Sequence, residues 1–251
     1  MSIQNTYVTT ESNCTMTIYT FSHPQTLLDS SLLSEADDPT IVVADVMFFS
    51  TTTTILGEQG VETVIPIQSV EEALSYSETP CGGEFRHEEF SVDFQNRPQS
   101  AFGFLGMQET IPEQVTLHST NGARVLRQLN SETTTDAEIL IGCFRNLQAV
   151  ADHIDSVESS SPIFLVSAGS REHIAVEDQL CISCLDQYLG ERPVDEESIS
   201  ELTQTLPLQR YSLEETNIDS YFQDDDRQHA ARINESSCVP RLDESGTITF
   251  C

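Results

Sequence analysis

A group of small polar residues follows a predicted strand in the middle of the chain. Ser119–Gly122 comes after the apolar run around Val115, and Arg124 lies two residues further on. A helix start offers unpaired N–H groups and about half a positive charge, which suits a phosphate or sulfonate group, and an arginine can add a bidentate contact. The alternative is a helix cap in a tight turn. The phosphate-binding residues predicted in this turn are Thr120, Asn121 and Gly122, with Arg124 paired to the same anion.

An aspartate stands at the same place after an earlier predicted strand. Asp45 follows the apolar run Ile41–Ala44 and precedes the polar run Ser50–Thr54. A carboxylate there can hold Mg²⁺, which prefers oxygen ligands together with substrate phosphate, or it can act as a nucleophile. The haloacid dehalogenase-like phosphatases have a second aspartate two positions later, where this chain has Met47, and this difference disfavours the nucleophile. The alternative role for Asp45 is to cap the following helix.

A third candidate segment contains a cysteine, two glycines and a pair of opposite charges. Four residues separate Cys81 from Arg86, one fewer than in the phosphate loop of the cysteine phosphatases, so Cys81 is disfavoured as a nucleophile. Gly82 and Gly83 would let the backbone approach a ligand closely. Glu84 and Arg86 would then be presented beside that ligand.

Two histidines and two acids complete the candidates. His118 ends the strand before the Ser119–Gly122 turn, and His173 precedes another predicted helix. Either could donate a proton, although a capping or solvent-facing histidine is more common. Glu177 and Asp178 lie in the first turn of that helix, where acids either bind a metal or complement the helix dipole.

The elements that must position these residues are four repeats of strand, polar turn and helix. Apolar strands that alternate with helices indicate a largely parallel or mixed sheet covered on both faces, which is a three-layer α/β/α fold. Ligands bind such sheets at the carboxyl ends of the strands, so we expect all four turns to face one side. The four repeats are Ile41–Gly60, Val115–Leu129, Ile139–Ile154 and Ile163–Cys181.

Smaller elements fit around these repeats. We predict that residues 1–190 form the core and that the acidic residues 191–251 pack on it within the same compact domain. The further predicted strands are Thr15–Phe21, Val64–Ile67 and Thr247–Phe250; the further helices are Val70–Tyr76, Val194–Leu206 and Asp226–Asn234; Ser77–Ser100 is predicted to be a long loop.

The charge of the chain excludes several classes of partner. It has 41 acidic and 11 basic residues, a formal net charge of −30, and no lysine. Because molar salt shortens the Debye length to about 3 Å and screens such repulsion, the composition indicates a salt-loaded, halophilic cytoplasm. So acidic a surface disfavours nucleic acid and anionic membranes, and no run of about eighteen apolar residues predicts a membrane span. We therefore expect a cytoplasmic protein.

The cysteines do not indicate a disulfide framework. There are seven, an odd number, and they are scattered along the chain, so reduced thiols are expected. Cys181 and Cys184 form a C-x-x-C pair without the second pair that a zinc site needs, and core packing is the favoured interpretation.

Taken in order, these segments resemble the 2-phosphosulfolactate phosphatase family. The resemblance implies an α/β/α fold, Mg²⁺ as cofactor, and hydrolysis of the phosphate ester of a small sulfonated hydroxy acid, a step in coenzyme M synthesis. The matching segments are Val43–Val46, Ser50–Thr53, Gly82–Glu84, Asn96–Pro98, Ser119–Arg124, Gly142–Asn146, Ala168–Gly169 and Val176–Cys181, with a weaker match at Val239–Pro240.

The chain departs from the family pattern at positions that concern anion binding. Phe48 stands where the family usually has arginine, Phe85 separates Glu84 from Arg86, and Ser119 replaces a usual threonine. One hypothesis is a phosphatase in which water attacks the phosphorus. The other is a degenerate member that binds a small phosphorylated or sulfonated anion without turnover.

The phosphatase hypothesis assigns a role to each residue of the site. The partner is a small phosphorylated anion, and the oligomeric state is left open between monomer and homodimer. The predicted catalytic residues are Asp45, Glu84 and Arg124; the phosphate-binding residues are Thr51, Thr52, Arg86, Thr120, Asn121, Gly122 and Asn146; the Mg²⁺ ligands are Asp45, Glu84 and Asp178.

Overall fold

The computed structural model describes residues 2–8, 15–84, 91–133, 137–157, 161–169, 173–205 and 224–251. The strands within these ranges form one mixed sheet of eleven strands with helices on both faces, which confirms the predicted three-layer α/β/α class. The helices in these ranges are too short or too polar to span a lipid bilayer.

The elements are numbered in chain order. The strands are β1 (Ser2–Val8), β2 (Thr15–Phe21), β3 (Thr40–Ala44), β4 (Thr63–Ile67), β5 (Cys81–Gly83), β6 (Phe94–Gln95), β7 (Gln114–His118), β8 (Glu138–Gly142), β9 (Ile163–Ser167), β10 (Pro240–Leu242) and β11 (Ile248–Phe250). The helices are α1 (Pro24–Leu28), α2 (Leu32–Glu35), α3 (Thr51–Glu58), α4 (Val70–Ser75), α5 (Pro98–Gly106), α6 (Gly122–Glu132), α7 (Leu147–Ser156), α8 (Val176–Leu189), α9 (Glu196–Thr205) and α10 (Asp224–Ala230). A π-helix (Val46–Ser50) and a 3₁₀ turn (Phe144–Asn146) complete the set.

The sheet consists of two parallel groups that run in opposite directions. Its order is β1-β2-β9-β3-β8-β10-β11-β4-β7-β5-β6. The pairs within β2-β9-β3-β8 and within β4-β7-β5-β6 are parallel, whereas β8-β10, β10-β11 and β11-β4 are antiparallel. Because of these three successive antiparallel pairings, the strands of the second group run opposite to those of the first. Strand direction alone would place the turn after β7 at the opposite edge. Gly122 N in that turn nevertheless donates to Asp45 Oδ2 at the end of β3, so these two turns meet as expected.

Two apolar layers cover the sheet. In β3, Ile41 and Val43 face the layer that contains α6, while Val42 and Ala44 face the layer that contains α7 and α8. Both faces of this strand are buried, which explains its continuous apolar sequence. Helix α6 packs against both β3 and β4, so it bridges the two strand groups. This bridge brings the turn after β7 to the end of β3.

Most predicted elements are confirmed to within one or two residues, and two are not. The predicted loop Ser77–Ser100 contains β5, β6 and the start of α5. A side chain at Gly82 would meet the ring of Phe94 at 2.2 Å, so β5 and β6 pack closely. Strands this short show no alternation of apolar and polar residues from which they could be predicted. The predicted helix Asp226–Asn234 ends at Ala230, and Asn234 has a φ of 54°. Cys181 and Cys184 are buried free thiols in the second layer, which confirms core packing.

Candidate functional site

Asp45 lies at the end of β3, where the chain enters a π-helix. Its side chain is buried, and its backbone N–H donates to Ser50 Oγ over 2.8 Å. The amide of Ser50 in turn donates to the Asp45 carbonyl at 2.9 Å, the five-residue step of a π-helix. Such turns are rare and frequently mark functional sites. The local backbone therefore sets Asp45 apart from an ordinary strand end.

The carboxylate of Asp45 accepts a hydrogen bond from the start of α6. The distance from Gly122 N to Asp45 Oδ2 is 2.9 Å, and the two residues are 77 positions apart in the chain. The Ser119 hydroxyl oxygen also accepts from Gly122 N, at 3.1 Å, and from Asn121 N, at 3.3 Å. The turn thus caps helix α6 and also contacts the carboxylate of Asp45 at the end of β3. The cap interpretation is confirmed, and anion binding at this turn stays a prediction.

Glu84 approaches the same turn from the end of β5. Its Oε2 accepts from the Thr120 hydroxyl at 3.0 Å, and its Oε1 accepts from Asn96 Nδ2 at 2.9 Å. Asn96 is fully buried and holds Glu84 in place, a role that the sequence interpretation missed although Asn96 lies in the family pattern. Two carboxylates, Asp45 and Glu84, therefore contact the Ser119–Gly122 turn.

Burial raises the pKa of the nearby Cys81 thiol, which keeps it protonated and unsuited to nucleophilic attack.

Arg124 lies on the first turn of α6, two residues after Gly122. It is half-buried, and its Nε donates to the Thr120 carbonyl over 3.4 Å. Among the described residues, no acidic side chain forms an ion pair with it. Within that part of the chain the guanidinium is not neutralised by an ion pair, which suits its predicted role as a phosphate contact. Arg86, the other arginine predicted to bind phosphate, lies outside the described residues.

The threonine run after the π-helix is fully buried. The Thr51 hydroxyl donates to the Val46 carbonyl, so it serves the helix turn and is not offered to a phosphate. The hydroxyls of Thr52 and Thr53 have no hydrogen-bond partner in the described part of the chain. A buried unsatisfied hydroxyl costs about 1–3 kcal/mol. Of the two predicted phosphate-binding threonines, Thr52 thus keeps an unused donor and Thr51 does not.

Asn146 does not offer its amide to a ligand, which corrects its predicted role in phosphate binding. Both hydrogens of its side-chain amide are engaged, because Nδ2 donates to the carbonyls of Ile141 and Cys238 at 3.2 and 3.1 Å. Its Oδ1 accepts from Cys143 N at 2.9 Å. Asn146 therefore fixes the turn after β8 and leaves no donor for phosphate.

The start of α7, next to this turn, is also unavailable to a ligand. Asn234 Oδ1 accepts from Gln148 N at 2.8 Å and so caps the helix from a segment 86 residues further along the chain. The third predicted anion-binding turn is thus occupied by the protein itself.

The three predicted Mg²⁺ ligands do not converge. Asp178 is fully buried, and its two oxygens accept from Val46 N at 2.8 Å and from Gly169 N at 3.0 Å. Within the described ranges, no group of three or more His, Cys, Asp or Glu side chains is placed to hold a metal ion. Asp45 and Glu84 remain together at one turn. This pair fits the usual protein contribution to Mg²⁺ binding, one or two carboxylates completed by substrate phosphate and water.

Phe48 does not face this turn. Its side chain is 2% exposed and packs with Val46, Met47 and Phe144 in the layer opposite α6. The residue of the π-helix that does reach α6 is Phe49, which the sequence interpretation did not single out. Its ring fills the space where a side chain at position 122 would lie. The substitution of the family's arginine therefore leaves an apolar core residue at position 48.

Gly122→Ala tests this close approach. A Cβ at position 122 would come within 2.5 Å of Phe49 Cγ and 2.7 Å of Phe49 Cβ, so either α6 or the π-helix must move. We expect a loss of about 1–3 kcal/mol in the free energy of unfolding, measured by urea denaturation. Gly103→Ala in α5 is the control, because its Cβ would meet nothing within 4 Å. Equal stability of the two variants would contradict the prediction.

The histidines differ in their surroundings. His118 is buried, and burial lowers its pKa below the ordinary value of 6.5, against smaller opposing effects of the Gln68 backbone and the Glu72 carboxylate. It is therefore neutral at neutral pH, which disfavours it as the proton donor. His173 is exposed, and a proton-donor role for it stays a prediction.

His118 also predicts how stability depends on pH. Because its folded pKa is lowered, the unfolded chain binds more protons below about pH 6.5, and stability falls as the pH drops through that value. Above it both states are neutral and the contribution is constant. We expect His118→Gln to flatten the fall in unfolding free energy between about pH 6.5 and 5.5, by at most about 1.4 kcal/mol per pH unit. Identical slopes in the variant and the parent protein would contradict this.

A family model matches most of the chain, and individual relatives match about half of it or slightly more. A sequence model of the family described as 2-phosphosulpholactate phosphatase matches residues 26–245. The "2-phosphosulfolactate phosphatase" of Methanothermobacter thermautotrophicus is 31% identical over 134 residues, which cover 51% of this chain and 53% of that protein. The "Probable 2-phosphosulfolactate phosphatase" of Thermotoga petrophila is 30% identical over 144 residues, 56% of this chain and 58% of the relative.

A relative in Thermotoga maritima, also named "Probable 2-phosphosulfolactate phosphatase", is 29% identical over 153 residues, or 60% of this chain and 62% of its own. The chain thus spans between about half and two thirds of the length of these curated relatives. The matched range of the family pattern includes Asp45, Glu84, the Ser119–Gly122 turn and Arg124. On this match, the chain belongs to the 2-phosphosulfolactate phosphatase family.

Proposed function

We propose that the protein is a Mg²⁺-dependent phosphatase of a salt-rich cytoplasm. Its substrate would be 2-phosphosulfolactate or a similar small acidic phosphate ester, and its products 3-sulfolactate and phosphate. The observation that carries this proposal is Arg124, a half-buried guanidinium without an acidic partner among the described residues. Its Nε donates to the carbonyl of Thr120, in the turn that Asp45 and Glu84 both contact. An anionic substrate in a chain of this charge needs such a cation.

Arg124 would bind the phosphate. Its guanidinium can donate two parallel hydrogen bonds to phosphate oxygens, a contact that fixes orientation as well as position. The start of α6 adds the partial positive charge of its N–H groups. Together these groups offset the charge of the phosphate as water attacks the phosphorus and the bond to the alcohol oxygen breaks.

Asp45 and Glu84 would hold the ion. Bound there, Mg²⁺ supplies charge neutralisation and a water with a lowered pKa. In the structure the two carboxylates accept hydrogen bonds from Gly122 N and from the Thr120 hydroxyl. These bonds keep both carboxylates directed at one turn. Asn96 further restrains Glu84.

The alternative is an anion-binding protein without turnover. The specific observation in its favour is Phe48, an apolar core residue at the position where the family usually has an arginine. A neutral aromatic side chain there removes a charge-assisted contact that would otherwise support turnover.

Phosphate release separates the two functions. The purified protein should be assayed in molar KCl with 2-phosphosulfolactate and a panel of other small phosphate esters, with Mg²⁺ and with a chelator. Turnover that requires Mg²⁺ and favours sulfonated or carboxylated esters is expected. Binding of these esters, detected by calorimetry, without any release of phosphate would establish the alternative.

A further inference from the structure

Asp178 makes contacts that an acid in the first turn of a helix does not usually make. It lies in the first turn of α8 with no exposed surface. Acids at this position usually complement the dipole of their own helix or bond to its first N–H groups. Both Asp178 oxygens instead accept from backbone amides of other segments, Val46 N and Gly169 N, and the first of these is 132 residues away.

We propose that Asp178 is a positioning residue that fixes Asp45 through the backbone. The inference rests on the proposed function for its catalytic readout, but its structural content is independent of that function. It replaces the assignment of Asp178 as a Mg²⁺ ligand.

The ends of β3 and β9 create the need for this carboxylate. Ala44 pairs with Ser167, and Ala168 N still donates to the Ala44 carbonyl at 2.8 Å. Beyond that bond the two chains separate, one into the π-helix at Val46 and the other into the turn at Gly169. Buried N–H groups that lose their strand partner need another acceptor. Asp178 accepts hydrogen bonds from both amides. It thereby replaces the bonds that the two diverging strands no longer make to each other.

The turn at Gly169 depends on the same contact. Gly169 has a φ of 65°, and a Cβ there would meet the His173 carbonyl at 2.7 Å, so the backbone is compact and left-handed. Its amide donates to Asp178 Oδ2. One carboxylate thus holds the turn after β9 against the start of the π-helix.

Asp45 lies between two hydrogen bonds as a result. Its own N–H donates to Ser50 Oγ, and the next N–H along the chain, that of Val46, donates to Asp178 Oδ1, each at 2.8 Å. These bonds orient the peptide planes on either side of the Asp45 Cα atom. The carbonyl of the following plane also accepts from Ser50 N at 2.9 Å. Loss of the second bond would leave that plane held at its carbonyl alone, and the Asp45 side chain could then shift relative to Gly122 N.

Asp178→Asn is the informative change because it nearly preserves size. An asparagine has one carbonyl oxygen, and its NH₂ group would face one of the two donors. We expect amide hydrogen exchange at Val46, Gly169 and Gly122 to become roughly tenfold faster or more, since local opening sets the exchange rate. The kcat should fall about 10- to 100-fold, as small misplacements of catalytic groups do, while KM changes little.

Asp226→Asn is the matched control. Asp226 is equally buried, accepts from Gln99 N at 3.0 Å across 127 residues, and pairs with Arg97. Its substitution should lower the unfolding midpoint without raising exchange at Val46, Gly169 or Gly122 and without lowering the kcat of the folded protein.

The exchange data decide the proposal whether or not the protein is a phosphatase. Unchanged exchange at Val46 and Gly169 in Asp178→Asn overturns it. Faster exchange at those two amides with Gly122 unaffected, or with an unchanged kcat, also overturns it, because Asp178 would then be structural without positioning Asp45. Absence of turnover in the parent protein would reject the proposed function alone.

Discussion

Asp45→Asn should abolish most phosphatase activity while the protein stays folded. Asparagine keeps an oxygen that can accept from Gly122 N, so the cap on α6 survives and the cost in unfolding free energy is about 1 kcal/mol or less. The negative charge that Mg²⁺ requires is lost. Because loss of an outer-shell partner already costs a metal site about 10- to 100-fold, loss of a direct ligand should cost at least about 100-fold in Mg²⁺ affinity and in turnover.

Calorimetric Mg²⁺ titration, unfolding midpoints and kcat together test this expectation. Asp243→Asn is a suitable control, since Asp243 is also a carboxylate that accepts a backbone amide, Thr247 N at 2.9 Å, but at the turn between β10 and β11. It should bind Mg²⁺ and turn over as the parent protein does. If Asp45 only caps α6, Asp45→Asn will lose a little stability and keep its turnover, and unchanged Mg²⁺ binding would remove Asp45 from the metal site.

Metal-free phosphate provides an independent readout of the same variant. In the parent protein the Asp45 carboxylate holds Gly122 N and repels an approaching anion. Removal of that charge should leave phosphate binding without Mg²⁺ at least as strong as in the parent. Weaker metal-free binding would show that Asp45 contributes to the anion site in some other way.

Arg124→Ala should weaken substrate and phosphate binding far more than it affects Mg²⁺ binding. A hydrogen bond to a charged group is worth about 1.5–3 kcal/mol, which corresponds to roughly 10- to 150-fold in affinity. The effect should appear mainly in KM and in the inhibition constant of inorganic phosphate. Arg124→Lys should recover part of the loss, because lysine keeps the charge but cannot form the bidentate contact.

Arg127→Ala is the matched control on the same helix. Arg127 is exposed and forms an ion pair with Glu72, so its removal should leave KM unchanged. Equal KM values for Arg124→Ala and the parent protein would contradict the assignment of Arg124 as the phosphate contact and would leave the proposed function without its main support.

The sequence by itself determined the elements and the local chemistry of the site. The apolar runs of β3, β7, β8 and β9, each followed by a polar turn and a helical pattern, predicted the layered fold, because strands buried on both faces show no alternation. Ser119 was readable as a cap, since its hydroxyl accepts from amides only two and three residues away. Asp45 was readable as a carboxylate at a strand end for the same local reason.

Tertiary structure alone decided where the strand groups point. The hairpin of β10 and β11, more than 90 residues beyond β8 in the chain, lies between β8 and β4 and reverses the second group. The apolar pattern of a strand shows which of its faces are buried. It does not show whether the neighbouring strands run parallel or antiparallel to it. The sequence likewise does not show that Phe48 packs in the layer of α7 and α8 while Phe49 packs against α6.

Tertiary structure also decided which helix starts are open to a ligand. Every helix leaves N–H groups at its start that need acceptors. Where the acceptor is a neighbouring hydroxyl the sequence displays it, but four helix starts here take theirs from 77 to 132 residues away. These acceptors are Asp45 on α6, Asn234 on α7, Asp226 on α5 and Asp178 on the π-helix. A pattern of strand, turn and helix predicts a donor group, and only the folded chain determines which acceptor occupies it.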